Sequence, residues 1–587
     1  MAAAQERVGG SGDLPQSGDN LKREVSRLGM LWASEGSVIG AGWLFAALLA
    51  VTIAGPAALI AWAIGTLIIV LLGLVYAELG GMFPVSGGGG LFPQYAFGSL
   101  AGGSFAWFGY IQAAAYAPIE VIAAIQYLHS TTWGAGLYDA NASALTFSGI
   151  VVAIALLLLF LVINLVGIGW VERTNNLMTT IKVGVPLLAV LALIAGAFHP
   201  ANFTAGGGFF PATIDWPKAL MSAISAGGIV FAFTGFEQAT QIGGESRNPQ
   251  RDIPFAVIAS IVIAGVIYIL VQFAFIGALD PAKILQYQTW ASLSNDGDLA
   301  ASPLATVATV AGLTLLAWTF RAMAVVSPGA CGLIYLTATS RLSYGMSRDG
   351  YIPEAFEQTS KTTKVPVFSL VVALVLGIVF LLPFPSFGKL VGIVTSATVL
   401  MYVGAPLALG ALRLNGAHLH RPYSLPAANV LAPVAFVLAT LIVYWAGWQT
   451  YSTLIVAIIV GYVLMALSRR LDANPKAPAI DWAAGKWLFP YLIGLGVISY
   501  FGGFGQGAAI GGIGPFSDFM VGGNGQLPLW WDVLVVTVFS LAIYYVAMGT
   551  RLSRERVDDY VKASGEIAVE PTASPNDRNV APKPQTV

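Results

Sequence analysis

The chain has 587 residues, of which 57% are hydrophobic and 10% are charged, and its formal net charge is −1. A soluble globular protein carries about 25% charged residues. This chain therefore has more apolar surface than a core of its own can bury, and a lipid bilayer is the solvent that fits it. The charge gives no sign of a nucleic-acid partner, and none is expected. Cys331 is the only cysteine, which excludes an intrachain disulfide and a thiolate metal cluster.

The two ends of the sequence are polar. Residues 1–27 and 555–587 are predicted to be disordered cytoplasmic segments, because they are rich in charged and small polar residues. The N-terminal segment lacks the short apolar stretch and cleavage site of a secretory signal.

Between these ends, fourteen predominantly apolar stretches each approach the ~20 residues that a spanning helix needs. They predict an all-α polytopic membrane protein with about 14 transmembrane helices. A further apolar run at 304–318 predicts an external helix or an extension of the eighth span. The predicted spans are 29–54, 57–80, 104–127, 147–168, 177–198, 219–242, 254–278, 319–343, 366–383, 389–412, 427–447, 451–468, 487–504 and 529–549.

Lysine and arginine are concentrated in alternate loops, and the long loop at 505–528 contains neither. Positive residues accumulate on the cytoplasmic side of membrane proteins. The alternation predicts a multi-pass protein of the cell membrane (plasma or inner) with both termini in the cytoplasm.

Glycine clusters interrupt two of the spans near their middle. Three glycines fall within 36–42 of the first span, and glycines with a threonine fall within 227–235 of the sixth. One such cluster would suit close helix packing. Two broken helices five spans apart are typical of inverted five-helix repeats with a binding site at the bilayer midplane. Freed amides attract a carboxylate and freed carbonyls accept hydrogen bonds from an ammonium group, so these breaks suit the common end of an amino acid.

Four motifs occur in the order that one known family shows. The segment 36–45 is similar to G-x-x-I-G-x-G, and 76–88 resembles Y-A-E-L-G-x-x-x-P-x-S-G-G. The segment 231–254 is similar to F-x-G-F-E followed by E-x-K-N-P-x-R-x-I-P, and 340–350 resembles S-R-x-x-Y-A-M-A-R-D-G. On these residues the chain resembles the amino acid–polyamine–organocation permeases from about 28 to 412. Further stretches resemble the aspartate–proton symporters of that family, at 40–45, 117–121, 173–176 and 302–306.

The resemblance implies a LeuT-like fold and alternating access. A ten-helix transporter core at 28–412 would form a 5+5 inverted repeat with discontinuous helices 1 and 6, and 426–549 would add four transmembrane helices. Carried over by position, the carboxylate of the substrate is expected at Val38, Gly40, Ala41 and Gly42. Its amino group is expected at the carbonyls of Phe231, Ala232 and Thr234, with Phe231 and Phe236 closing over it.

Ionisable side chains at membrane depth are functional candidates because burying them costs several kcal/mol. In proton-coupled members of the family, a lysine at the position of Lys182 stands where sodium-coupled relatives bind a cation. Glu237 follows the break in the sixth span and Glu120 lies in the third span, so both are candidate proton carriers. The alternatives are snorkelling for Lys182, a structural role for Glu237 and an ordinary ion pair for Glu120.

Two further charges have less certain roles. Arg321 opens the eighth span, where it could contact an anionic substrate side chain or snorkel to the interface. Glu35 could pair with Lys182 or face the cytoplasmic vestibule, and the sequence does not decide between these roles.

These observations predict a secondary transporter that takes up an L-amino acid with protons, with aspartate or glutamate as one candidate substrate. The alternative is an exchanger of amino acids or polyamines, because the motifs do not separate the two modes. The partners expected are the amino acid, protons and the lipid bilayer. No nucleophile–base pair, phosphate loop or metal-ligand cluster occurs in the sequence, so we expect no enzyme activity, no cofactor and no metal. The oligomeric state is not predicted.

Overall fold

The structure is a computed structural model that describes residues 25–84, 88–140, 142–166, 168–361, 363, 365–382, 387–505 and 522–564, with only the backbone given for 168–176 and Lys389. Almost all regular structure in these ranges is helical. The exception is a two-residue hairpin in which β1 (Tyr138–Asp139) pairs antiparallel with β2 (Ala144–Leu145).

The first seven predicted spans form ten helices, because the first and sixth spans are interrupted. These helices are α1 (Arg27–Val38), α2 (Gly42–Ala54), α3 (Ala58–Met82), α4 (Gly88–Leu128), α5 (Phe147–Val166), α6 (Ile168–Ala197), α7 (Trp216–Ser225), α8 (Ile229–Phe233), α9 (Gln238–Gln241) and α10 (Pro249–Ala278).

The rest of the described chain forms twelve helices. They are α11 (Pro281–Tyr287), α12 (Gly297–Ala301), α13 (Pro303–Val310), α14 (Thr314–Arg348), α15 (Val367–Leu381), α16 (Phe387–Asn415), α17 (Ala428–Trp445), α18 (Trp448–Arg470), α19 (Trp482–Gly485), α20 (Leu488–Phe501), α21 (Leu529–Thr550) and α22 (Arg554–Ser564).

By length and composition, eleven helical stretches of the described residues can cross a membrane. One of them, Gly42–Met82, passes through the 3₁₀ turn Gly55–Ala57 and contains the predicted span 57–80 together with the second half of 29–54. Two other predicted spans are shorter helices, α15 with 15 residues and α20 with 14. Each of the fourteen predicted stretches therefore coincides with helix. The prediction of a polytopic all-helical membrane protein is confirmed.

The centre of the molecule is formed by long helices that pack along one another. α4 packs along α14 and α16, α3 packs along α10, and α1 lies between α6 and α10. The added helices cover one side of this core, since α17 contacts α16 and α21 while α18 contacts α16 and α4. The pairing of the two five-helix halves as an inverted repeat, with domain limits at 28–412 and 426–549, stays a prediction.

The predicted disordered tail at 555–587 begins too early. Helix α22 continues to Ser564, and Val557, Tyr560 and Val561 are buried on one of its faces. Apolar residues spaced by three and four positions form the stripe of an amphipathic helix, which the charged composition of this segment conceals. Residues 565–587 lie outside the described residues.

Two other boundaries are settled by the backbone. Residues 1–24 lie outside the described residues, but Val25 bridges Ser246 in the loop before α10, so the predicted N-terminal segment ends sooner than residue 27. The apolar run at 304–318 is divided: α13 ends at Val310 and α14 begins at Thr314. The run therefore contains both a separate short helix and an extension of the eighth span toward its N-terminus.

Candidate functional site

The first span is broken between α1 and α2, where Ile39, Gly40 and Ala41 leave the helix. A Cβ atom at Gly40 would lie 2.3 Å from Oε1 of Glu120. Because no heavier side chain leaves room for that carboxyl group, glycine permits the close approach.

Side chains from two neighbouring helices bind the carbonyl groups that this break exposes. The Tyr268 hydroxyl of α10 donates to the Val38 carbonyl at 3.0 Å. The Ser327 hydroxyl of α14 donates to the carbonyls of Ile39 at 2.8 Å and Gly40 at 3.0 Å. Buried backbone groups need such partners when the helix no longer supplies them. The break is thus held open by tertiary contacts.

The sixth span is broken twice. Gly228 has φ +82° before α8, and Gly235 has φ +119° between α8 and α9. Both values lie in the region that favours glycine. The Phe231 carbonyl, near the C-terminal end of α8, accepts hydrogen bonds from the Thr234 amide at 3.1 Å and the Thr234 hydroxyl at 2.6 Å.

The two broken spans lie directly against each other. A Cβ atom at Gly42 would be 2.9 Å from the Cα atom of Ala232, and one at Gly235 would be 2.6 Å from the carbonyl carbon of Ser37. The structure therefore brings together the residues predicted to bind the two ends of a substrate. All of them are buried: Val38, Gly40, Ala41, Gly42, Phe231, Ala232, Thr234 and Phe236.

Glu120, on α4, binds the first break. Its side chain is 1% exposed, and Oε2 accepts a hydrogen bond from the Ala41 amide at 2.8 Å. A hydrogen bond with a charged partner is stronger than one between neutral groups. A carboxylate of the protein thus binds an amide that the sequence assigns to a substrate carboxylate.

Lys182, on α6, is fully buried and does not snorkel to the surface. Its ammonium donates to the Gly36 carbonyl of α1 at 2.7 Å. Electrostatic interactions also link it to Cys331, Glu120 and Glu35. One buried cation therefore ties α6 to α1 beside the break, within reach of the charges of α4.

Glu237, at the start of α9, has one carboxylate oxygen that is well bound. Oε2 accepts hydrogen bonds from the Gly235 amide at 2.8 Å and the Tyr402 hydroxyl of α16 at 2.6 Å. The other oxygen is buried without a hydrogen-bonding partner among the described residues. These contacts suit the structural role predicted for Glu237 as one alternative. Its second oxygen is available to bind a proton.

Aromatic rings enclose the α8 side of the breaks. Phe231 stacks on Tyr116 of α4 at 5.5 Å between centroids and meets Phe387 of α16 edge-on at 5.8 Å. Tyr116 in turn stacks on Tyr335 of α14 at 3.8 Å. The predicted position of Phe231 at the wall of the site fits these contacts.

Phe236 faces a different set of rings. It packs edge-on to Tyr76 at 5.5 Å and against Tyr402 at 5.0 Å. The two phenylalanines predicted to close over a substrate therefore share none of these ring partners. Phe236 packs against Tyr402, which binds Glu237, whereas Phe231 stacks on Tyr116.

Arg321, near the start of α14, contacts neutral groups. Its guanidinium donates to the hydroxyls of Ser130 at 3.1 Å and Thr309 at 3.3 Å, and it lies 5.1 Å from the ring of Trp318. The preceding residue, Phe320, packs on Trp43 of α2 at 6.0 Å. Arg321 therefore stands about 9 Å along the helix from Ser327, beyond the break itself.

Several residues of the site were not predicted from the sequence. Ser327, Cys331 and Tyr335 recur every fourth residue along α14, and Tyr116 lies four residues before the predicted Glu120 on α4. Residues four apart share one helix face. A search for polar side chains at this spacing inside an apolar span could have found both faces.

A family model described as amino acid permease matches residues 25–465, which include both breaks and every residue of the site. The chain belongs to the amino acid permease family. This permease is a multi-pass membrane transporter and not an enzyme, as the sequence predicted.

Two relatives from Bacillus subtilis (strain 168) extend over nearly the whole permease. It is 33% identical to the glutamate/serine transporter AimA, over 94% of this chain and 98% of that protein. It is also 33% identical to the aspartate-proton symporter, over 92% of this chain and 98% of the relative. The b(0,+)-type amino acid transporter 1 of Mus musculus is 25% identical, over 72% of this chain and 82% of the relative.

Proposed function

We propose that this permease takes up an L-amino acid together with protons, by alternating access around the two helix breaks. The substrate carboxylate binds amides of the 38–42 segment, and its amino group binds carbonyls of 231–234. The close contacts of Gly42 with Ala232 and of Gly235 with Ser37 support one shared site for both ends of the substrate.

The hydrogen bond between Glu120 and the Ala41 amide is the observation that carries this proposal. A substrate carboxylate that bound the same amide would have to displace the Glu120 carboxylate. Two carboxylates at one amide would also repel each other. Substrate binding is therefore favoured when Glu120 is neutral.

Protonation of Glu120 couples proton binding to substrate binding. The proton removes the charge of the side chain and weakens its hydrogen bond to Ala41, so that the amide becomes available to the substrate. After the permease opens inward, loss of the proton restores the carboxylate, which rebinds Ala41 and expels the substrate. Linkage requires the reverse as well: bound substrate raises proton affinity.

The balance of buried charges supports proton binding. Three carboxyl groups, Glu35, Glu120 and Glu237, and one amine, Lys182, are at most 1% exposed around the breaks. With all four ionised the group carries three negative charges and one positive, a net charge of −2. Buried charges without partners cost several kcal/mol, so protons stabilise this group during part of the cycle.

Lys182 supports protons over sodium as the coupling ion. Its ammonium bonds the Gly36 carbonyl and so holds α1 against α6. A cation is thus built into the protein at the place where the resemblance to sodium-coupled relatives puts a metal ion.

An acidic substrate is favoured by Arg321 and by the relatives. The guanidinium has no carboxylate partner among the described residues; its contacts are two hydroxyls and a ring. Two B. subtilis relatives bear names that include glutamate or aspartate. In this proposal Arg321 attracts the side-chain carboxylate of the substrate.

Purified permease in sodium-free proteoliposomes tests the proposal. We expect an imposed inward proton gradient to drive accumulation of radiolabelled aspartate or glutamate. Glu120→Gln should keep exchange of substrate across the membrane but lose accumulation, because the amide side chain cannot release a proton. Glu357→Gln is the matched control, since Glu357 pairs with Lys476 far from the breaks.

Two outcomes would overturn the proposal. Accumulation that survives collapse of the proton gradient but requires sodium would exclude proton coupling. Exchange without any accumulation by the unmodified permease would identify an antiporter instead. Failure of aspartate and glutamate to compete with a transported amino acid would remove the acidic substrate alone, and Arg321→Gln would then leave selectivity unchanged.

A further inference from the structure

Glu35 is a buried acid that the coupling scheme above does not use. It lies in the last turn of α1, its side chain is 0% exposed, and neither carboxylate oxygen has a hydrogen-bonding partner among the described residues. An ionised carboxyl in such a place costs several kcal/mol unless a cation or a proton compensates it. A bound proton or a neighbouring cation is therefore needed to compensate this carboxyl.

Within the described part of the chain, the groups around Glu35 leave one cation for that role. Helix α1 packs against α6, α9, α10 and α14. Among the described side chains, Lys182 and Tyr268 interact electrostatically with Glu35. The Tyr268 hydroxyl donates its hydrogen bond to the Val38 carbonyl. The other titratable groups on this side are the Cys331 thiol, which donates to the Ser37 carbonyl, and the carboxyls of Glu120 and Glu237, which accept from the amides of Ala41 and Gly235.

We propose that Glu35 is a second proton carrier, which receives a proton from Lys182 and passes it toward the cytoplasmic side. The inference rests on the proposed function, because it assumes that protons move through this permease. It assigns to Glu35 a step between the break and the aqueous vestibule.

The order of contacts along the first span, from the break at residue 41 back into α1, supports this path. Glu120 binds residue 41, Lys182 binds residue 36, and Glu35 is the next residue toward the N-terminal end of the helix. The carbonyl that Lys182 binds thus belongs to the neighbour of Glu35. The charge of the same ammonium also acts on the Glu35 carboxyl.

The transfer itself is balanced. An N–H bond of the Lys182 ammonium breaks and leaves its electron pair on nitrogen, while an O–H bond forms on Glu35. The ammonium and carboxylate become an amine and a carboxylic acid, so no net charge is created in the membrane. When α1 opens to the vestibule, the acid gives its proton to water, and Lys182 is reprotonated from Glu120.

Glu35→Gln tests this role because it preserves size and polarity. In sodium-free proteoliposomes, we expect uptake driven by a proton gradient, and substrate-induced proton entry reported by an internal pH dye, to fall about tenfold, within the usual range of coupling between two sites. Counterflow at equal pH on both sides should stay near the unmodified rate. Glu357→Gln should match the unmodified permease in all three assays.

The outcomes separate this inference from the function on which it rests. If the unmodified permease shows no gradient-driven uptake, the proposed function fails. If it does and Glu35→Gln retains both uptake and proton entry, the role of Glu35 alone is wrong. Equal loss of counterflow and driven uptake would assign Glu35 a structural role instead. Should Glu35→Gln not fold, Glu35→Asp replaces it: a proton carrier predicts a changed pH profile of uptake, and an unchanged profile refutes it.

Discussion

Two groups of buried acids in this permease are compensated in opposite ways. Glu78, at the end of α3 on the predicted cytoplasmic side, is 0% exposed and has two arginine partners. Arg413 lies 2.6 Å and Arg421 3.2 Å from its carboxylate oxygens, and the Leu425 amide donates to it at 2.7 Å. One negative charge thus faces two positive charges and a backbone donor.

Around the helix breaks the ratio of negative to positive side chains is reversed. Among the described side chains, three carboxyl groups share the single cation Lys182, and oxygens of Glu35 and Glu237 lack hydrogen-bonding partners. The Glu78 group joins α3, α16 and the loop after α16 into a unit that needs no proton. Under the proposed function, the group at the breaks approaches electroneutrality by binding protons, so the same residue type would be structural in one place and functional in the other.

Removal of Lys182, the one cation of the central group in the described part of the chain, should have the largest effect. We expect Lys182→Met to lower gradient-driven uptake by about a hundredfold or more, the scale at which acid–base groups act, because the carboxyls then face one another without compensation. Added sodium should not restore transport. Lys283→Met, which removes the partner of Asp296 in a loop, is the control and should transport normally. Uptake by Lys182→Met near the unmodified rate would remove the distinction between the two groups.

Glu78→Ala should destabilise the protein without a specific effect on coupling. Loss of one partner of a buried ion pair leaves uncompensated charge and costs about 3 kcal/mol. Thermal unfolding in detergent should show a lower midpoint, and transport by the folded fraction should remain dependent on the proton gradient. Glu120→Gln should unfold close to the unmodified midpoint. If the two variants ranked in the opposite order, Glu78 would not be the structural acid.

Gly40→Ala should disturb transport more than folding. The added methyl group would meet Glu120 Oε1 at 2.3 Å and the Cys331 sulfur at 2.9 Å, so the carboxyl must leave the Ala41 amide. Because the displaced carboxyl no longer competes for the Ala41 amide, we expect substrate affinity to rise by about tenfold at a pH where Glu120 is ionised, the scale of one charged hydrogen bond. Isothermal titration of the detergent-solubilised permease measures it. Gly388→Ala, with no neighbour within 4 Å of its Cβ position, is the control.

Tyr402→Phe should have the smallest effect. It removes the hydroxyl that donates to Glu237 and leaves the ring contacts with Tyr76 and Phe236 in place. The loss is about 1 kcal/mol in stability, with proton-driven uptake reduced only a few-fold. Because Glu237 keeps its bond to the Gly235 amide, uptake abolished in this variant would mean that Glu237 carries the proton in place of Glu120.

Much of the architecture was predictable because it depends on local sequence. Apolar stretches long enough to cross a bilayer predicted helices that the structure contains. Clustered glycines at 36–42 and 227–235 predicted interruptions, which the structure has at 39–41, 226–228 and 234–237. The error at 555–564 has the same origin, since composition described that segment less well than its helical periodicity. Lys182 could be singled out because an amine is rare at membrane depth, and its function stays a prediction.

The sequence by itself determined that this protein is a many-helix membrane transporter with two interrupted spans and charged residues inside them. Only the tertiary structure decided which acids are paired. Glu78 meets Arg413 335 positions along the chain, and Glu120 meets Ala41 across 79 positions, whereas Glu35 meets no hydrogen-bond donor among the described residues. A membrane span can be predicted from apolar residues that are consecutive in the chain, but a hydrogen bond needs two atoms about 3 Å apart. That separation is set by how distant helices pack.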